Sequence, residues 1–141
     1  IKSNYLYALD IAKDHIIKSN QAIIVEGEFD VMKMHSIGIR RAVGMLGSSL
    51  SIKQISLLSR YCQEIFLVFD GDEAGRTSME RAMKLNVKYG LKQYYDILII
   101  PVAMPNNLDP DDFIKTEGKV ALINLLKKSK IDIMKKTGEI V

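Results

Sequence analysis

Apolar residues recur along the chain in two alternating rhythms. Over residues 4–18 they fall at Leu6, Leu9, Ala12, Ile16 and Ile17, the spacing of an amphipathic helix. Ala22-Ile23-Ile24-Val25 is then a continuous apolar run with three β-branched residues. It predicts a short strand, buried on both faces and ending at Glu26-Gly27. Residues 29–37 return to helical spacing and stop at Gly38. Ala42-Val43 reads as a second, weaker strand, and Ser51 can cap a helix carrying Ile52, Ile55 and Leu58. Ile65-Phe66-Leu67-Val68-Phe69 is the clearest strand and runs straight into Asp70-Gly71-Asp72. A long helix is expected over residues 73–89, closed by Gly90, and a fourth strand over 96–100, broken by Pro101 and Pro105. A short helix opens at Asp109-Pro110, another spans 119–128, and Ile131, Ile133 and Met134 begin a further segment.

Strand and helix therefore alternate four times. That order predicts an α/β fold, Rossmann-like, with a mostly parallel four-stranded sheet and helices on both faces. The 141 residues, 48% hydrophobic and 26% charged, suit one globular unit with a real core. Twenty Lys and Arg against seventeen Asp and Glu give +3 and a pI near 8.9, a balance that excludes neither nucleic acid nor small anionic substrates. The single cysteine, Cys62, excludes an internal disulfide framework and a cysteine-rich zinc site, and fits a reducing compartment. No apolar run is long enough to span a membrane, and no secretory signal opens the chain. It starts at Ile1 and stops at Val141 in an apolar stretch, so it is expected to be a piece of a longer protein.

The chemistry lies at the predicted strand ends. In Val25-Glu26-Gly27-Glu28-Phe29-Asp30 a carboxylate stands just beyond the first strand. Doubly wound sheets bind ligands at such positions, although a solvated loop acid is the plainer account of a lone Glu26. Glu28 fits an exposed first-turn acid, and Asp30 fits either that or a group that orients a site ligand. In Phe69-Asp70-Gly71-Asp72-Glu73-Ala74-Gly75-Arg76 two aspartates leave a buried strand together. Paired hard oxygens suit Mg²⁺ with substrate phosphates. A helix cap explains Asp72 but not both acids. Asp109-Pro110-Asp111-Asp112-Phe113 is a regular helix start, with Asp at the cap and Pro in the first turn, yet it adds three more acids beyond a fourth strand. His15 and His35 lie far from these clusters in sequence, and Met32, Met34, Met79 and Met83 read as core filler. No Walker A loop and no G-x-G-x-x-G occurs.

Glu-Gly at one strand end with Asp-x-Asp at a later one resembles the TOPRIM domain of topoisomerases, primases and some nucleases. Gly38-Ile39, Leu46-Gly47-Ser48-Ser49-Leu50-Ser51, the Phe69–Gly75 stretch and Asp109-Pro110-Asp111-Asp112-Phe113 occur in the order of bacterial DnaG-type DNA primases. The opening Asn4-Tyr5-Leu6-Tyr7-Ala8-Leu9-Asp10 looks like the segment that precedes the domain there. The resemblance covers residues 2–128. The Ser48–Ser51 stretch departs from a Thr-rich version but keeps its hydroxyls. On this basis residues 1–20 are a lead-in from a preceding polymerase subdomain and 21–103 the core. Residues 104–128 carry the acidic motif with its closing helices, and 129–141 start the next segment.

The resemblance implies that Glu26, Asp70 and Asp72 are catalytic and hold metal, with Asp109 and Asp111 as a second catalytic acidic pair. It implies Mg²⁺ or Mn²⁺, two ions, bridged by Asp70, with zinc confined to a domain outside these residues. The implied activity is metal-dependent synthesis of RNA primers from ribonucleoside triphosphates on single-stranded DNA, in the bacterial cytoplasm at the replication fork. The implied partners are that template, the RNA primer and a replicative helicase reached through a carboxyl-terminal domain, with no membrane. Arg76 and Lys2 are the candidates for phosphate contact, and an ion pair from Arg76 to Asp72 is the alternative for the former. Lys13, Arg40, Arg41, Lys53, Arg60 and Arg81 are further basic positions, most of them read as ordinary surface charges. The other readings are a TOPRIM nuclease or topoisomerase, and a non-catalytic module binding metal and DNA. A topoisomerase needs a nucleophilic tyrosine, and Tyr5, Tyr7, Tyr61, Tyr89, Tyr94 and Tyr95 have no recognisable activating setting. Lacking a clustered basic track for a template, the fragment alone is expected to fold without making primers.

Overall fold

In the computed structural model, which describes residues 5–139, the apolar runs form one sheet of four strands: β1 (Gln21–Val25), β2 (Ala42–Gly44), β3 (Glu64–Val68) and β4 (Leu98–Val102). All three pairings are parallel and the order across the sheet is β2-β1-β3-β4. Strand β1 thus has its sequence successor on one side and β3 on the other. This is a topological switch point, and the crevice beyond it lies between the carboxyl ends of β1 and β3.

The strands are buried on both faces because they separate two cores. Ala22, Ile24, Ile65, Leu67 and Ile99 point to one side. There they meet Ala12 and Ile16 of α1 (Leu9–Ser19), Ile55 and Leu58 of α3 (Ile52–Leu58), Ala82 of α4 (Glu73–Tyr89) and Leu91 of α5 (Leu91–Tyr95). Ile23, Val25, Phe66, Val68, Ile100 and Val102 point the other way, onto Val31 and Met34 of α2 (Glu28–Ser36) and Phe113, Ile114, Leu122 and Leu126 of α6 (Pro110–Lys136). The period-two division of the strand side chains explains why their runs carry no polar gaps.

Four local features differ from the expectations. The fourth strand begins at Leu98 and includes Pro101, which was expected to break it. Leu98 N–H donates to Gln63 O at 2.8 Å, so Ile100 and Val102 also face β3 and Pro101 turns its missing N–H to the open edge. Asp96 instead closes α5, a short helix that the sequence pattern does not announce, with φ 53°. The first helix starts only at Leu9: Tyr7 pairs antiparallel with Gly44, and Ala8 turns the chain at φ 67°. The two expected carboxyl-terminal helices are both present and meet at Gly118, where the backbone is non-helical with φ 88°; the second runs on past Lys128 to Lys136. The hydroxyl at Ser51 has a structural use. It accepts Gln54 N–H at 3.1 Å while the Gln54 side chain accepts Ser51 N–H at 2.9 Å, a capping box at the start of α3.

Candidate active site

The two strand ends at the switch point are joined directly through an acid. Glu26 Oε1 accepts the Asp70 N–H at 2.6 Å, which ties the residue after β1 to the second residue after β3. Gly27 then starts α2, and Asp30, one turn in, reaches back to accept the Gly27 N–H at 3.4 Å. Asp72 Oδ1 caps α4 by accepting the Gly75 N–H at 2.7 Å. Gly75 is required by close approach: a Cβ there would lie 1.9 Å from Asp70 O. Helix α4 is thereby pressed against the backbone of the residue whose carboxylate enters the crevice.

A third acidic turn closes on the same place. Gly71 N–H donates to Leu108 O at 3.0 Å, and a Cβ on Gly71 would stand 2.8 Å from that oxygen. Arg76 reinforces the junction, its Nη1 donating to Gly71 O at 2.9 Å and to Asn107 Oδ1 at 3.4 Å. Immediately afterwards Asp109 Oδ1 accepts the Asp112 N–H at 2.7 Å and caps α6. Asp111, in the first turn, is ion-paired with Lys115 at 3.0 Å and Lys33 of α2 at 3.8 Å.

The electrostatics follow from crowding like charges in a partly buried crevice. The Asp70 carboxyl is pushed up to about 7, first by burial and then by repulsion from Glu26, Asp30, Asp72 and Asp109. Burial likewise raises Glu26, opposed by the Asp70 N–H and assisted by Asp72 and Asp30. Asp30 is raised by burial and by Asp109 and Asp111, against the pull of the Gly27 N–H. An excess of negative charge with hard oxygen donors suits a divalent cation of the Mg²⁺ class. Among the described residues, no three acids, histidines or cysteines already stand in a closed metal-ligand arrangement. Glu26, Asp30, Asp72 and Asp109 instead hold their backbone contacts with one oxygen each, and a carboxylate has a second oxygen to offer. The donor set therefore fits an ion completed by water or substrate oxygens.

Of the residues singled out in the sequence, Glu26, Asp70, Asp72 and Asp109 come together. Asp111 sits at the rim, neutralised by two lysines, and Arg76 bonds to the turn and to Asn107 with no ion pair to Asp72 among the described residues. Lys2 lies outside the described residues. Asp30 is a full member of the acidic group, a role that its spacing left open. Lys33 and Asn107 went unnoticed because their partners are distant in sequence and no local pattern marks them. Gly75 did carry a signal, since a glycine in the first turn of a helix usually has a packing reason.

Comparison with known proteins places these residues in a family. Residues 20–95 match the model of the Toprim domain. The chain is 39% identical over 128 residues to a DNA primase of Aquifex aeolicus, covering 91% of this chain and 24% of that one. It superimposes with a TM-score of 0.80 on the Aquifex aeolicus primase zinc-binding and RNA polymerase domains, at 37% identity over 91% of this chain and 30% of that one. It superimposes equally, with a TM-score of 0.80 and 30% identity, on a DnaG primase catalytic domain bound to single-stranded DNA, over 91% of this chain and 40% of that one. The chain thus spans about a quarter or less of the curated relatives it matches.

Proposed function

The chain belongs to the Toprim family, and from that premise we propose that it supplies the acidic catalytic centre of a bacterial DNA primase. The whole protein would synthesise short RNA primers from ribonucleoside triphosphates on single-stranded DNA, in the cytoplasm at the replication fork. The observation that carries this reading is the convergence of Glu26, Asp70 and Asp72 at the β1/β3 switch point, locked by the 2.6 Å bond from Asp70 N–H to Glu26. The primases matched by sequence and by fold support it, whereas no observation favours a nuclease or a topoisomerase.

Primer extension joins a ribonucleotide 3′-hydroxyl to the α-phosphorus of an incoming triphosphate and expels pyrophosphate. Toprim domains of primases bind divalent metal; for this chain the reading is Mg²⁺ or Mn²⁺, as two ions. Bound there, such ions would supply stabilisation of the charge that grows on the attacking and leaving oxygens. Asp70, which lies among Glu26, Asp30, Asp72 and Asp109, would hold metal together with Glu26 and Asp72. Glu26 and Asp72 each keep one oxygen on a backbone N–H and offer the other, so their orientation is fixed before any ligand arrives. Asp109 is oriented in the same way by its cap bond, and Asp111 is held at the rim by Lys33 and Lys115. Arg76 spends Nη1 on the turn and retains guanidinium donors for a substrate phosphate. Zinc binding and helicase docking belong to other parts of the protein.

The test uses the full-length parent. Glu26→Gln and Asp72→Asn should each lower template-directed ribonucleotide incorporation by orders of magnitude with the circular dichroism spectrum unchanged. Near-normal turnover of either variant at saturating Mg²⁺ would remove that acid from the centre.

A further inference from the structure

The opposite end of the sheet, where the strands begin, carries a cleft of the other sign. His15, Lys18 and Ser19 on the last turns of α1 face Gly38, Arg40 and Arg41 in the turn before β2, around an open space of about 370 Å³. Three permanent positive charges and an imidazole converge there. Among the described residues none of Lys18, Arg40 and Arg41 forms a salt bridge, and Asp14, one turn before Lys18 on α1, is not paired with it. The Arg41 Nε is enclosed by protein and has no acceptor. Burial also disfavours the charge on this guanidinium.

A buried donor left without a partner is costly, and the cost is greater on a charged group. Cations at helix carboxyl termini complement the macrodipole, which accounts for Lys18 in the last turn of α1. It does not account for two consecutive arginines beyond the Gly38 turn, nor for an enclosed Nε–H with nothing to accept it. The side-on fork of a guanidinium, Nε–H beside Nη–H, matches two oxygens of a phosphate, and a rotation of the Arg41 side chain toward the cleft would present it. We propose that the cleft between the end of α1 and the turn before β2 binds a phosphate group, with Arg41 as the fork and Arg40 and Lys18 as flanking charges. The site is distinct from the acidic crevice, because the length of the strands separates the two ends of the sheet.

The phosphate can come from a free anion or from the backbone of a single-stranded nucleic acid, and one titration series separates these sources. Inorganic phosphate is added to the metal-free chain at constant ionic strength, with chloride as the control, and followed by amide NMR. Saturating shifts at Ser19, Gly38 and Arg41, absent with chloride, are expected. Arg41→Gln and Arg40→Gln should each weaken binding about tenfold, and Arg41→Lys, which keeps the charge but not the fork, should weaken it nearly as much. Both Gln variants remove an unpaired charge, so well-dispersed spectra are expected from them. Displacement of phosphate by a short oligothymidylate assigns the site to a nucleic-acid backbone; saturation by phosphate without such displacement assigns it to a free anion. Equal shifts with phosphate and chloride, or unchanged affinity in Arg40→Gln and Arg41→Gln, would overturn the proposal and leave these residues as helix-end charges only.

Discussion

Replacing Asp70 by asparagine should make the metal-free chain more stable at neutral pH and less responsive to divalent ions. The carboxyl rises from an ordinary 3.8 to about 7 in the fold. A raised acid lends its stabilising contribution fully below its unfolded value, and that contribution is lost as the pH climbs through the folded one. Above about pH 7 the ionised Asp70 is therefore a net burden on the native state. Each pH unit between the two values corresponds to about 1.4 kcal/mol, but Asp70 is open enough to solvent that screening reduces the sum to roughly 1–2 kcal/mol. For a domain of this size that is a rise in Tm of about 3–8 °C. The assay is a set of thermal melts from pH 4 to pH 8 at fixed ionic strength with chelator present. The asparagine side chain is isosteric and uncharged, so the gain of Asp70→Asn over wild type should be near zero at pH 4 and grow to its full size by pH 8. Adding Mn²⁺ should then raise the Tm of the wild type but not of the variant, since a ligand stabilises only the state that binds it. A gain that stays flat with pH would refute the electrostatic reasoning. An equal Mn²⁺ response in both proteins would refute the placement of the ion.

Gly75→Ala should destabilise the fold by about 3 kcal/mol, read as a lower urea midpoint, because the new methyl meets the Asp70 backbone and not a movable side chain. Gly47→Ala is its control, with open space around the added atom, and should stay within about 0.5 kcal/mol. Asp109→Asn keeps a good helix cap and should cost only about a few tenths of a kcal/mol, while primer synthesis by the full-length protein falls because the negative charge is gone. Unchanged synthesis would leave Asp109 as a cap alone.

The strands were legible because burial on both faces writes itself as uninterrupted apolar runs, and alternation with helices then dictated a parallel sheet. Alternation leaves the order of the strands open; it is the structure that puts β2 and β3 on opposite sides of β1 and so makes Glu26 and Asp70 neighbours. Pro101 was misread because whether a proline breaks a strand depends on which way its nitrogen faces, a fact of pairing and not of local sequence. Helix α5 is only five residues long and begins directly after Gly90, too short to show a period. The spacing of Asp30 left it open between an ordinary first-turn acid and a group that orients a site ligand. The meeting of the β1 and β3 ends, which sets Asp30 beside Glu26 and Asp70, and the approach of α6 with Asp109 and Asp111 make it part of the acidic group. The seam from Gly71 to Leu108 and from Arg76 to Asn107 is likewise a long-range contact between two turns, and each turn alone reads as an ordinary helix start.

The treatment of the sheet margins has a consequence for solubility and for the manner of association. An open strand edge is a template for adding another strand, and so for aggregation or for capture of an extended peptide. Here Pro101 removes a donor from the outer margin of β4, and the short β2 is met on its far side by the antiparallel bridge from Tyr7 to Gly44. Neither margin offers a long uninterrupted ladder. Strand addition is therefore disfavoured at both margins, which leaves the ends of the strands and the outer surfaces of the helices as the readier contact surfaces.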